Sequence, residues 1–292
     1  MTQPPWRRER REHFPGLPAW SAATSRLALE DFGVIRHERV TQQWAWGGAR
    51  GAGVRVCLLD TGVDAAHPMV GGLERSLMVA GDGDGAEPAV TDCVPADPAG
   101  HGTACAGVIR SIAPAVSLTS VRVLTDGRSG SGAALLAGLR WAVDEGFDLI
   151  NLSLSTTRSE FLPALHELAD RAYFRRCLIV AAAHNMPVLS FPWTFSSVIS
   201  VASHDEPNPM VYYYNPAPPA EFYARGVRVP VAWRGGRRIR SSGNSFAAPH
   251  VTGICALILS KYPLMTPFQL KSVLYLAANN VVTRNGDAYV AV

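Results

Sequence analysis

The feature that most constrains this chain is an alternation. Apolar, partly β-branched runs at 54–59, 116–124, 149–154, 177–183 and 197–202 are separated by helical patterns at 103–112, 133–145 and 162–173. A continuous apolar strand has both faces covered, and strands joined through helices run parallel with right-handed crossovers. The pattern therefore predicts an α/β fold: a single three-layer domain with a central, mostly parallel sheet covered by helices on both faces. With 292 residues, of which 48% are hydrophobic and 17% charged, the chain can build one large core of this kind.

The flanks are less regular. Residues 1–33 read as a polar, proline-punctuated arm or short pro-segment ending in a short helix at 27–32, and 34–292 as the folded domain. Residues 81–99 form a Gly/Asp/Pro-rich loop, and 207–219, with Tyr212, Tyr213 and Tyr214 between prolines, reads as an aromatic surface loop or lid. Residues 222–233 look like paired strands. A long helix starts at Ser245 with Pro249 in its first turns, where a missing N–H does least harm, and 270–278 reads as a closing amphipathic helix.

Three short strings fall at the boundaries of these elements. Asp60-Thr61-Gly62 follows the first apolar run, His101-Gly102-Thr103 opens the first helix, and Gly243-Asn244-Ser245 opens the long one. Singly, they are equally a turn, a helix start and a loop before a cap. In this order they supply an acid, a base and a nucleophile: a serine hydroxyl attacks a carbonyl when an imidazole takes its proton and a carboxylate holds that imidazole. A fourth string, an apolar run ending in His184-Asn185, puts a side-chain amide after a strand, where it can donate to an oxyanion.

At these residues the chain resembles the subtilisin family of serine proteases from about Val40 to about Asn280. The resemblance implies a subtilisin-like fold, with Asp60, His101 and Ser245 as the catalytic triad and Asn185 in the oxyanion hole. It also implies a peptide substrate held as an extended strand between Ser129-Gly130-Ser131-Gly132 and Ser153-Leu154-Ser155. Gly132 stands where relatives often carry a bulkier residue, which predicts an open outer subsite. His184 replaces a glycine before the oxyanion Asn, and Asn244 a threonine, so pocket and oxyanion contacts are expected to differ. Cys105, one helical turn after His101, resembles the cysteine some relatives carry beneath their catalytic histidine.

The remaining signals bound the setting. A net charge of +3 gives no global field that points to nucleic acid or a membrane surface. No apolar h-region opens the chain, no run is long enough for a span, and of five cysteines four sit in apolar runs, so a cytoplasmic enzyme with reduced thiols is expected. No cofactor is required by this chemistry. Asp82, Asp84, Asp92 and Asp97 crowd one loop and could bind calcium, although a solvated acidic loop explains them as well. Asp64 and His67 resemble the family's structural turn after the catalytic Asp. Arg234, Arg237, Arg238 and Arg240 form a basic run that is either a solvated turn or a selector of acidic residues near the cut.

The sequence thus predicts a serine endopeptidase working through an acyl-enzyme. The alternatives are a narrow processing protease that removes a leader from a precursor peptide, or a peptide-binding pseudoprotease. A lipase-like esterase is disfavoured, because no Gly-x-Ser-x-Gly elbow surrounds Ser245.

Overall fold

A computed structural model describes residues 40–292, apart from 82–86, 125–129, 285–286 and 291–292. The arm at 1–33 with its expected helix, Asp82, Asp84 and Ser129 lie outside the described residues.

Nine strands form one sheet: β1 (Arg55–Asp60), β2 (Arg75–Ala80), β3 (Ala89–Asp92), β4 (Ser117–Arg122), β5 (Leu149–Leu152), β6 (Leu178–Ala182), β7 (Ile199–His204), β8 (Tyr212–Tyr214) and β9 (Phe222–Arg225). Their order is β3-β2-β4-β1-β5-β6-β7-β9-β8. The interior of the row is parallel throughout, and the two edge strands, β3 and β8, pair antiparallel. The helices are α1 (Gln42–Trp46), α2 (His101–Ile112), α3 (Gly132–Glu145), α4 (Leu162–Phe174), α5 (Asn244–Lys261) and α6 (Pro267–Ala277).

The strand period sorts side chains between the two helical layers. On β1, Val56 and Leu58 pack with residues of α1, α2, α5 and α6, whereas Cys57 and Leu59 pack with those of α3 and α4. Every residue of α5 from Phe246 to Leu259 is buried, which makes it the central helix of its layer. This is the three-layer α/β fold expected from the alternation.

Three expectations are corrected. Residues 81–99 are not loop throughout, because Ala89–Asp92 pairs with β2. The stretch 207–219 is no lid: Tyr212 is fully buried and its hydroxyl donates to Leu274 O of α6 at 2.7 Å. Asn279 and Asn280 then cap this edge, accepting from the Tyr212 and Tyr214 N–H groups at 3.1 and 2.9 Å, so side-chain amides cover the free rim of the sheet. Finally, 222–233 does not fold back on itself. Phe222–Arg225 joins β7 in the main sheet, while β10 (Val229–Trp233) pairs with β11 (Arg237–Ser241) in a separate hairpin.

Parallel strands finish at the same edge of the sheet. Asp60 ends β1, Ser153 follows β5, and His184 and Asn185 follow β6, so one rim gathers the residues that chemistry needs.

Candidate active site

Asp60 is completely buried at the end of β1, and its Oδ1 accepts from the Thr61 N–H at 2.8 Å and from His101 Nδ1–H at 2.7 Å. A carboxylate can only accept, so this bond fixes the tautomer: Nδ1 carries the proton and Nε2 is left as the base. Burial by itself would lower the His101 pKa, but the Asp60 carboxylate overrides it and holds the imidazole well above its ordinary value of 6.5. The Phe246 ring lies 5.4 Å from the imidazole, centroid to centroid, and limits its rotation.

Position on α2 depends on close backbone approach. A Cβ on Gly102 would lie 2.0 Å from Gly62 O, so only glycine lets the helix start reach the turn after Asp60. Asp97 fixes the same junction. Its carboxylate accepts from Thr61 Oγ1, the Gly100 N–H and Thr103 Oγ1, each at 2.7 Å. Asp97 is therefore a structural anchor rather than a cation ligand, and Asp92 is paired with Arg75 at 3.2 Å. Among the described residues the one cluster with metal-ligand spacing is Asp60, His101 and Cys105, which is the hydrogen-bonded pair above and its neighbouring thiol.

Ser245 sits in the first turn of α5, and its carbonyl depends on a proline. Pro249 has no N–H to donate to the residue four positions earlier, so Ser245 O is left open. Ser153 Oγ donates to it at 2.8 Å and Cys105 Sγ at 3.4 Å. Ser153 is in turn held by Asn151 Nδ2 at 3.0 Å, whose own oxygen accepts from Thr252 at 2.8 Å. The buried Cys105 thiol, pushed up by desolvation, stays protonated as that donor and lies 3.9 Å from His101 Nδ1. Among the described residues no hydrogen bond joins Ser245 Oγ to His101, a looseness common before substrate binds.

The amide of Asn185 is oriented from its oxygen end. Asn244 N–H donates to Asn185 Oδ1 at 2.9 Å, which leaves the exposed Nδ2 free to donate. The Asn244 side chain is itself occupied, accepting from the Ser203 N–H at 2.9 Å and donating to His184 O at 3.1 Å. It clamps the His184-Asn185 turn rather than reaching the oxyanion. The His184 ring folds back on its own loop, with Nδ1 accepting from the Met186 N–H at 3.0 Å.

His101, Asn185 and Ser245 line one cavity of about 530 Å³ with Gly130, Gly132, Ser153, Leu154, Ser155 and His184. Every sequence-predicted site residue among those described is therefore gathered in one place. One expectation fails: the space over Gly132 is not open, because a Cβ there would lie 2.0 Å from the Phe161 ring. The basic run is split as well. Arg234 donates to Pro98 O at 3.0 Å, and Arg237 O accepts from the buried His67 at 3.0 Å, so His67 pins the hairpin.

A profile of the subtilase family matches residues 51–290. The chain belongs to the subtilase family. Subtilisin DY of Bacillus licheniformis is 32% identical over 271 residues, covering 88% of this chain and 92% of that one. A thermostable alkaline protease of Halalkalibacterium halodurans is 34% identical over 244 residues, covering 79% of this chain and 63% of the relative. Among solved structures, a cold adapted subtilisin-like serine proteinase superposes with a TM-score of 0.63 at 27% identity, covering 78% of this chain and 82% of that one. This subtilase is accordingly a subtilisin-like serine protease with the three-layer fold of its relatives. Phe161 and Asn151 escaped the sequence reading, and Asp97 reads there as a calcium candidate or solvated acid rather than as an anchor. Their roles come from contacts to distant residues and carry no local signal.

Proposed function

We propose that this subtilase cleaves peptide bonds with Ser245 as nucleophile, His101 as general base and then acid, and Asp60 as the group that orients and stabilises the imidazolium. The observation that carries the roles is the 2.7 Å Asp60–His101 bond, which leaves Nε2 as the basic nitrogen on the same cavity wall as Ser245. His101 takes the Oγ proton as Oγ bonds to the carbonyl carbon. The oxyanion then meets Asn185 Nδ2 and the N–H groups at the start of α5, whose dipole favours negative charge. His101 returns the proton to the leaving amine, and water repeats the sequence to free the acyl group.

The substrate lies as an extended strand between Gly130–Gly132 and Ser153–Ser155. Phe161 fills the space a larger side chain at Gly132 would take, and His184 lines the cavity beside Asn185, two local features that support selective cleavage such as peptide processing. Five free cysteines, four of them buried, support work in a reducing compartment such as the cytoplasm.

Profiling a peptide library with wild type and Ser245→Ala tests the assignment. Cleavage by wild type with loss of about 10⁶-fold in the variant, a magnitude known from subtilisin, is expected. Equal cleavage by both proteins would refute the role of Ser245.

A further inference from the structure

The rim of the sheet that carries the catalytic residues continues beyond Asn185 to the ends of β7 and β9. A second cavity of about 320 Å³ lies there, lined by Asp205, Pro207, Arg225, Val227, Arg228 and Arg240. Three arginines and one aspartate line it, and among the described residues none of the three arginines forms an ion pair. Arg225 Nε is buried with no hydrogen-bond partner, a state that is costly unless an acceptor arrives. Arg228 adopts φ 50°, a left-handed conformation unusual for a residue with a side chain. The Arg240 guanidinium donates to Arg228 O at 3.3 Å, which ties the hairpin to this bend.

The cavity is wired to the nucleophile. Gly243 N–H donates to Gly226 O at 2.8 Å, and Arg228 N–H donates to Ser242 Oγ at 2.9 Å. The segment Ser242-Gly243 that leads into Ser245 is thus hydrogen-bonded to the segment that carries Arg225 and Arg228. The acyl half of a substrate occupies the groove at the ends of β4 and β5. On the peptidase reading, a leaving half that runs on from Ser245 along this rim would pass the loops after β7 and β9.

We propose that Arg225, Arg228 and Arg240 form a carboxylate-binding site for an acidic side chain in the leaving half of the peptide. The inference rests on the peptidase reading above and adds the substrate class. Arginine suits the task because its planar, permanently charged fork matches a carboxylate with two parallel donors. An unpaired set of such donors gains most when a desolvated anion fills it. Free inorganic phosphate offers the same chemistry, and the test separates the two sources.

The experiment compares matched peptides with Glu or Gln at each of the first three positions after the scissile bond. For wild type, kcat/KM is expected to be about tenfold higher for Glu at one of these positions, the size of one charge-assisted contact, and the preference shrinks as salt is raised. In the double variant Arg228→Gln/Arg240→Gln, kcat/KM for the Glu peptide is expected to fall about tenfold further than for its Gln partner. Inorganic phosphate at matched ionic strength, added to wild type, competes for the same guanidinium groups and is expected to inhibit cleavage of the Glu peptide more than that of the Gln peptide.

Equal kcat/KM for Glu and Gln at all three positions in wild type overturns the inference while leaving the peptidase reading intact. No Glu preference at any position, together with phosphate altering cleavage of both peptides alike, reassigns the site to a free anion and also overturns it. No cleavage of any peptide would instead overturn the peptidase reading. The wild-type comparison needs no variant, so a misfolded double mutant does not remove the test.

Discussion

Apart from α4, which continues from a 3-10 turn at Ser159–Phe161 without a side-chain cap, the helices begin in two ways. At α1, α3 and α6 a Thr41, Ser131 or Thr266 oxygen accepts from an N–H of the first turn, and at α6 Gln269 completes a capping box. At α2 and α5 the cap is Gly100 or Gly243, with no side-chain bond at all. The two glycine starts carry His101 and Ser245. A capping oxygen on Gly243 would compete for the N–H groups that an oxyanion must use, and any Cβ there would lie 3.2 Å from Ser245 Oγ. The capped helices gain about 1 kcal/mol each from their caps, whereas α2 and α5 leave that stabilisation unused and keep their donors open.

Substitutions at each kind of start should therefore act on different quantities. Asn185→Ala removes the side-chain donor beside the α5 start and should lower kcat about 10²–10³-fold, a range drawn from subtilisin, with KM little changed. A kcat within a factor of three would show that the N–H groups of α5 suffice. Gly243→Ala should lower kcat roughly tenfold by crowding Ser245 Oγ, with little effect on thermal stability. Thr266→Ala should do the reverse, losing about 1 kcal/mol of stability at unaltered kcat. If both changes alter the same quantity, the distinction between the two kinds of helix start fails.

Acid sensitivity separates two histidines on the same side of the sheet. Burial lowers the pKa of His250, inside α5, from 6.5 to about 4, and its Nδ1–H donates to Phe246 O at 2.8 Å. Between pH 6.5 and about 4 the unfolded chain binds this proton and the folded one does not, so the stability present above 6.5 falls as pH drops, by roughly 3 kcal/mol at most. His101 works in the opposite sense. Its raised pKa contributes stability below 6.5 that is lost as pH rises through the folded value. Denaturant unfolding of His250→Asn should show a flatter acid limb than wild type. An unchanged slope would remove His250 as the cause.

The sequence made the centre of the sheet and its rim readable. Runs such as Val56–Leu59 can only be buried strands, and Asp60, Ser153 and Asn185 sit where those strands end. The proposed catalytic roles follow from the order of residues and from the chemistry that order permits. What stayed hidden depends on partners distant in sequence. Tyr212–Tyr214 between prolines has the local signature of a loop, and becomes a strand because β9, α6 and Asn280 complete its bonding. Gly132 promised an open subsite until Phe161, 29 positions later in the chain, filled it. The split of the arginine run depended on β10 pairing with β11 rather than with β9.

The account rests on Ser245 being activated through an imidazole that Asp60 holds in one tautomer. The most direct measurement is the rate of Ser245 labelling by a fluorophosphonate as a function of pH, in wild type and Asp60→Asn. Wild-type labelling should rise with pH through an inflection above 6.5, and the variant should label about 10⁴-fold more slowly. Labelling of Asp60→Asn at the wild-type rate, or modification at a residue other than Ser245, would contradict it.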